Sequence, residues 1–380
     1  MSNQNQSNRL PSLDFARIFA MLMMIAGHTF FSLINPEAIN IHSFPWNWWE
    51  FARGATAPIF LTVSGVAQVF ANKRNEFGKL KSETKQKRIK TALTLLGIGY
   101  LFSFPADKIY DIPFIEHQYL HGFFSVNILQ LFAVVLLGVL LLFVLTKNDK
   151  QLFRSSLIIA ILITFLTPLT QLVNWFNILP FPLASYLDYR NGSFFGIFPF
   201  ASFVFYGIAF GVIIKGVNPA ERLNWIIKRS FYSIPIFLFI GIVLYNLEFN
   251  LIQQTPIPYK ASSGMIFIRY SIVAFVFAIT GLISKALPSF NSIFTFFGQK
   301  ALYVYILHIF ILYGTVVSPG MLHFFGGTNS IAIALMNIPI VLGGTMLLTY
   351  LLQKLIDTSK QFSLAYKFSI TAYLIYVLFI

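Results

Sequence analysis

The chain has 380 residues, 57% of them hydrophobic and only 11% charged, with a formal net charge of +14 and no cysteine. A soluble domain carries about 25% charged residues, so a soluble fold of this length is excluded and a polytopic membrane protein is expected. The basic residues sit in short segments between apolar runs, which is a topology signal and not a nucleic-acid footprint; the missing cysteines exclude thiol nucleophiles, disulfides and thiolate metal sites.

In chain order, a polar start, "MSNQNQSNRLPS", precedes the first apolar run. It has no apolar h-region, so the first helix is expected to direct insertion itself. Apolar runs of spanning length predict helices near 12–34, 55–72, 89–105, 123–146, 155–174, 197–214, 231–247, 266–284, 301–318, 330–352 and 364–380. Lys367 interrupts the last run near its start, so ten or eleven spans are predicted. With the N-terminus placed in the cytoplasm, 21 of the 27 basic residues fall on the inner side, eight of them in "KRNEFGKLKSETKQKRIK" (73–90). Five fall outside, namely Arg53, Lys108, Arg190, Lys260 and Arg269, and Arg17 lies within the first helix. That asymmetry orients the bundle. "FPWNWWEF" (44–51) and "WFNILPFP" (175–182) read as interfacial aromatic belts or re-entrant pieces on the outer side. No repeat and no long polar linker is visible, so residues 1–380 are expected to form one all-α membrane domain, with 1–11 as a polar tail and 73–90 as a basic loop.

The first helix carries Asp14, Arg17 and His28. An ionisable group at mid-membrane costs about 2.5–3.5 kcal/mol on insertion scales, so such residues usually line an interior or a hydrated path. At roughly 100° per residue, the eleven steps from Arg17 to His28 overshoot three turns by roughly 20°, and the fourteen from Asp14 fall roughly 40° short of four. All three therefore share one side, with Arg17 and His28 about 16 Å apart along the axis. Each has a bland reading: Ser12 and Asp14 as a helix cap, Arg17 as a snorkelling cation, His28 as a satisfied interfacial histidine. Read together, the stripe suits a long donor with phosphates at one end, held by arginine, and a reacting group at the other, beside a histidine base. Coenzyme A thioesters have that shape.

At these residues the chain resembles the transmembrane acyltransferase superfamily. The acyltransferase-3 family places an arginine, ten residues, then a histidine in its first core helix, as Arg17 and His28 stand here; "PIFLTVSGVA" (58–67) and "GQKALYVYILHIF" (298–310) look like further segments of it. The chain is also similar to bacterial heparan-alpha-glucosaminide N-acetyltransferase-like proteins in "RLPSLDFARIFAMLMM" (9–24), "HSFPWNWWEFARGATAPIFLTVSG" (42–65), "NILQ" (127–130) and "GIFPFASFVFYGIAFG" (196–211). In that branch the catalytic histidine corresponds to His42. Ile18 stands where acyltransferase-3 members usually have glycine, and the outer loop is about one residue longer than in the glucosaminide branch, so His28 and His42 both remain candidates for the base. The resemblance implies acetyl-CoA or another acyl-CoA as cytosolic co-substrate, no metal, and a saccharide or glycolipid acceptor on the far side, in a bacterial inner membrane.

The expected site has His28, His42, Arg17 and Asp14 as its catalytic group, with Asp14 orienting Arg17. Arg17, Ser64, Tyr305 and His308 line the donor path, although Ser64-Gly65 also suits close helix packing and His308 also suits a buried histidine bonded to Tyr305 or a backbone carbonyl. Glu50, Arg53, Asp188 and Arg190 are placed outside to meet the acceptor, with an interfacial ion pair and plain surface polarity as their bland readings. His117 and His121 in "EHQYLH" stand four apart, as metal ligands can, with Asp107 and Asp111 nearby but no third ligand at clear spacing. Expected partners are the lipid bilayer, the acyl-CoA and the acceptor, with a homodimer as an open assembly state. Rival readings are a secondary transporter, which would show repeats and paired ionisable groups at mid-membrane, and a non-catalytic partner in envelope polysaccharide assembly.

Overall fold

The computed structural model describes residues 10–105, 108–251, 261–315 and 318–379, without the side chains at 117 and 118. It is helical almost throughout. The long elements are α1 (Pro11–Leu33), the short amphipathic α2 (Trp46–Arg53), α3 (Thr56–Ala71), α4 (Ser82–Phe102), α5 (Ile128–Leu145), α6 (Asp149–Thr170), α7 (Ile197–Gly216), α8 (Arg222–Leu251), α9 (Ser263–Ala286), α10 (Asn291–Gln299), α11 (Ala301–Tyr313), α12 (Ile331–Thr358) and α13 (Lys360–Phe379). Among the described residues, nine spans are long and apolar enough to cross a membrane, with α2 and α3 counted together. The helical stretch 288–299 and α11, bent by 69°, make a tenth when the bent pair is counted as one span. The predicted span at 89–105 forms as α4, but its first half is charged, and residues 91–102 alone reach only about 18 Å. This is a multi-pass integral membrane protein.

The chain divides into two compact units. One comprises residues up to Leu13, 57–105 and 115–288. Its core gathers Leu61, Val69, Leu131, Phe143, Phe203, Ile208 and Ile266. Glycine sets the closest crossing: a Cβ on Gly65 would sit 2.1 Å from the Val204 carbonyl oxygen, and one on Gly207 2.2 Å from that of Thr62. Without a hydrophobic drive between helices in lipid, such backbone approach supplies the packing energy. Part of the basic segment is also built in. Arg74 gives hydrogen bonds to the carbonyls of Gly78 (2.8 Å), Phe143 (2.9 Å) and Thr146, closing the end of α5. Arg88 Nε reaches Asn72 Oδ1 at 2.7 Å.

The second unit comprises 14–56, 106–114 and 289–380. Ile18, Met21, Ile25, Val304, Leu312 and Val341 form its core, so α1, α11 and α12 pack together. Beyond the far end of α1 the Asn35 N–H donates to the Asn329 carbonyl at 2.9 Å, and the Asn329 N–H to that of Leu33 at 3.1 Å. Trp46 of α2 stacks on Phe30 with ring centroids 5.1 Å apart, so the predicted aromatic belt is a short helix laid on α1. Helix α13 buries no residue; its apolar face is left for lipid.

Candidate functional site

The polar stripe of α1 lies in the second unit, and helices brought in from the far end of the chain meet it at two levels. At the N-terminal level Arg17 Nη1 stands 3.3 Å from Asp14 Oδ1 and donates to the Gly298 carbonyl at 2.9 Å. Gly298 is in the last turn of α10, whose final carbonyls have no partner within their helix. Arg17 is nearly buried, with 13% of its side chain exposed. Its positive charge therefore meets the Asp14 carboxylate and the negative end of a short helix.

Three turns further along α1, His28 Nδ1 is 3.1 Å from His308 Nε2. The ring centroids are 5.3 Å apart and the ring planes only 28° from parallel. His308 is fully buried, and its Nδ1 is 3.2 Å from the carbonyl oxygen of Val304, one turn back on α11. The Tyr305 ring meets His308 edge-on at 5.3 Å. One turn beyond His28, Ser32 Oγ and Tyr313 Oη share a hydrogen bond of 2.9 Å, so α1 and α11 stay joined along this face. Ser32 stands four residues after His28, a spacing that could have marked it; Tyr313, Val304 and Gly298 carry no local signal.

Arg53 covers the same level from α2. Its guanidinium lies 4.3 Å above the Phe31 ring and pairs with Glu50 at 2.5 Å. Its aliphatic stem crosses Gly27, where a Cβ would stand 2.6 Å from Cδ. Thus Asp14, Arg17, His28, Glu50, Arg53, Tyr305 and His308 all belong to one unit. His42 belongs to it too, but lies exposed in the loop before α2, with its backbone N–H bonded to Asn40 Oδ1 at 3.0 Å.

Three expected site residues lie in the other unit. Ser64 is buried in α3, next to the Gly65 crossing. Asp188 is buried and pairs with Arg190 at 2.5 Å; it also accepts the backbone N–H groups of Trp175 (3.3 Å) and Arg190 (3.0 Å). Arg190 in turn donates to the carbonyls of Val173 (2.9 Å) and Gln171 (3.1 Å). These contacts are all spent within the 171–191 loop. Nearby, Tyr189 donates to the Phe198 carbonyl at 2.6 Å, and burial raises its phenol well above the ordinary value. Of the histidine pair weighed for a metal, the His117 side chain and Asp107 lie outside the described residues; the His121 ring lies tilted against Phe181 with centroids 4.3 Å apart. No group of three metal-ligating side chains occurs among the described residues.

The comparison with known families shows what kind of protein carries these residues. The profile described as heparan-alpha-glucosaminide N-acetyltransferase, catalytic, matches residues 9–254, about two thirds of the chain. The chain belongs to this family. It is a membrane acetyltransferase, and the match takes in Asp14, Arg17, His28, His42, Glu50 and Arg53, while Tyr305 and His308 of α11 lie beyond it. No curated protein matches the acetyltransferase chain significantly.

Proposed function

We propose that the protein transfers an acetyl group from cytosolic acetyl-CoA to a hydroxyl or amine of an acceptor on the opposite side of the membrane, a saccharide or glycolipid, with the N-terminus cytoplasmic. One observation carries the reading: in an acetyltransferase chain, one face of α1 holds an arginine anchored at one level and, about 16 Å further along, a histidine bonded to the buried His308 of α11. Arg17, oriented by Asp14, takes the donor phosphates; the thin pantetheine arm bridges the gap; the thioester lies beside His28. Tyr305 and His308 wall the donor path, and Arg53 with Glu50 flanks the acceptor.

The chemistry balances with these residues alone. The His28 imidazole accepts the acceptor's O–H or N–H proton as the oxygen or nitrogen bonds to the thioester carbonyl carbon. The carbon–sulfur bond then breaks, and the thiolate takes the proton from the imidazolium to leave as free coenzyme A. His42, exposed on the neighbouring loop, receives the acceptor.

Protein in liposomes, given radiolabelled acetyl-CoA and a panel of amino sugars and sugar alcohols, should transfer label and release free thiol. Both should vanish in His28→Ala, whereas His42→Ala should raise the acceptor KM. Saturable solute flux without thioester consumption would overturn the reading in favour of transport.

A further inference from the structure

The histidine contact contains more information than proximity. His308 Nδ1 faces the carbonyl oxygen of Val304 at 3.2 Å, and a carbonyl can only accept. The hydrogen of that bond therefore belongs to Nδ1 of His308. A neutral imidazole carries one donor and one acceptor nitrogen, so Nε2 of His308 is then the acceptor. Nε2 is the atom that meets His28 Nδ1 at 3.1 Å. The hydrogen of that second bond must come from His28 Nδ1, and the lone pair of His28 is left on Nε2.

We propose that His308 is a positioning residue: through the relay Val304 carbonyl to His308 to His28, the backbone of α11 fixes His28 in the tautomer whose Nε2 is bare. The inference rests on the reading of His28 as base. It gives His308 a task distinct from lining the donor path. A base needs its lone pair on the nitrogen that meets the substrate, and a ring free to exchange tautomers would hold it there only part of the time. Orientation of one ring nitrogen by a fixed partner on the other is the usual way to settle this. A carboxylate commonly does so; here the partner is a second imidazole, anchored in turn by a carbonyl. When His28 Nε2 takes a proton, its Nδ1–H bond to His308 persists, so the ring does not turn during the step. The neutral orienter leaves the imidazolium more ready to release its proton to a thiolate than a carboxylate partner would.

The surroundings support a fixed relay. His308 is fully buried, Tyr305 meets its ring edge-on, and the Ser32–Tyr313 hydrogen bond ties the helices one turn further on.

The test is the tautomer itself. In full-length protein labelled with 15N-histidine in lipid, with His28→Asn used to assign the signal, the ring of His28 should show a protonated Nδ1 and a bare Nε2. In His308→Leu that preference should be lost, and kcat should fall about 10- to 100-fold. His308→Gln, whose amide oxygen can still accept, should recover most of the loss. A wild-type His28 protonated on Nε2, a doubly protonated His308, or an unchanged kcat in a folded His308→Leu would each overturn the proposal. Retention of transfer in His28→Ala would instead remove the assignment of the base, while the wild-type spectrum would still decide whether the relay exists.

Discussion

Arg53 crosses α1 at Gly27, the residue before His28, and reaches the Phe31 ring one turn on. A methyl group at position 27 would meet the arginine stem at 2.6 Å, but that stem is flexible and can move. Gly27→Ala should therefore leave the protein folded, with an unchanged thermal transition in detergent, and displace Arg53 from its place beside Glu50. Since displacements of about 1 Å can cost up to 10²-fold in rate, a drop of about tenfold in kcat/KM for the acceptor is expected. The donor KM should not move.

At the other level, Arg17→Ala takes the guanidinium away from Asp14 and removes the proposed phosphate anchor. The donor KM should rise at least about tenfold, in line with the loss of a charged hydrogen bond at about 1.5–3 kcal/mol. Arg17→Lys keeps the charge but not the planar fork, and should recover only part of it. Equal donor KM values in all three proteins would show that phosphates bind elsewhere.

Helix α3 offers a purely structural check. Gly65→Ala drives a methyl group into the backbone of α7 at 2.1 Å from a carbonyl oxygen, which cannot swing aside as a side chain can. Overpacking of this kind costs about 1–3 kcal/mol, and the variant should lose several degrees of thermal stability. The neighbouring Ser64→Ala should be close to wild type in stability, so that any change in donor KM reports on binding alone.

Asp188 holds its loop through two backbone N–H groups and Arg190. Asp188→Asn weakens charge-assisted bonds worth about 1.5–3 kcal/mol each, so lower thermal stability is expected, with the acceptor KM unchanged in the folded fraction. A rise in acceptor KM without loss of stability would instead return this pair to the acceptor site.

The helices of this protein were largely legible because run length and hydropathy are local properties. Residues 128–145 and 197–216 fall close to their predicted runs, although α5 starts at Ile128, five residues late, because 117–124 already form a separate short helix. Charge hid other boundaries: α4 begins at Ser82 because lysine and arginine are good helix formers that hydropathy cannot see. Helix α10 was not anticipated, since a short amphipathic helix joined at 69° to the next has no apolar run of spanning length. The α1 stripe could be read from angular spacing alone. Its partners were legible only in part: His308 was expected along the same path but not bonded to His28, and Gly298 was not expected, because they stand 280 and 281 positions from the residues they touch.

The break between α10 and α11 explains how the membrane tolerates Arg17. An uninterrupted rod through residues 291–313 would turn every interior carbonyl along its own axis and withhold from the guanidinium the acceptor it finds at Gly298. The 69° corner leaves Gly298 with an unspent acceptor aimed at the arginine. Straightening that corner would take this acceptor away from the cation, so the discontinuity works as a counter-ion made of main chain.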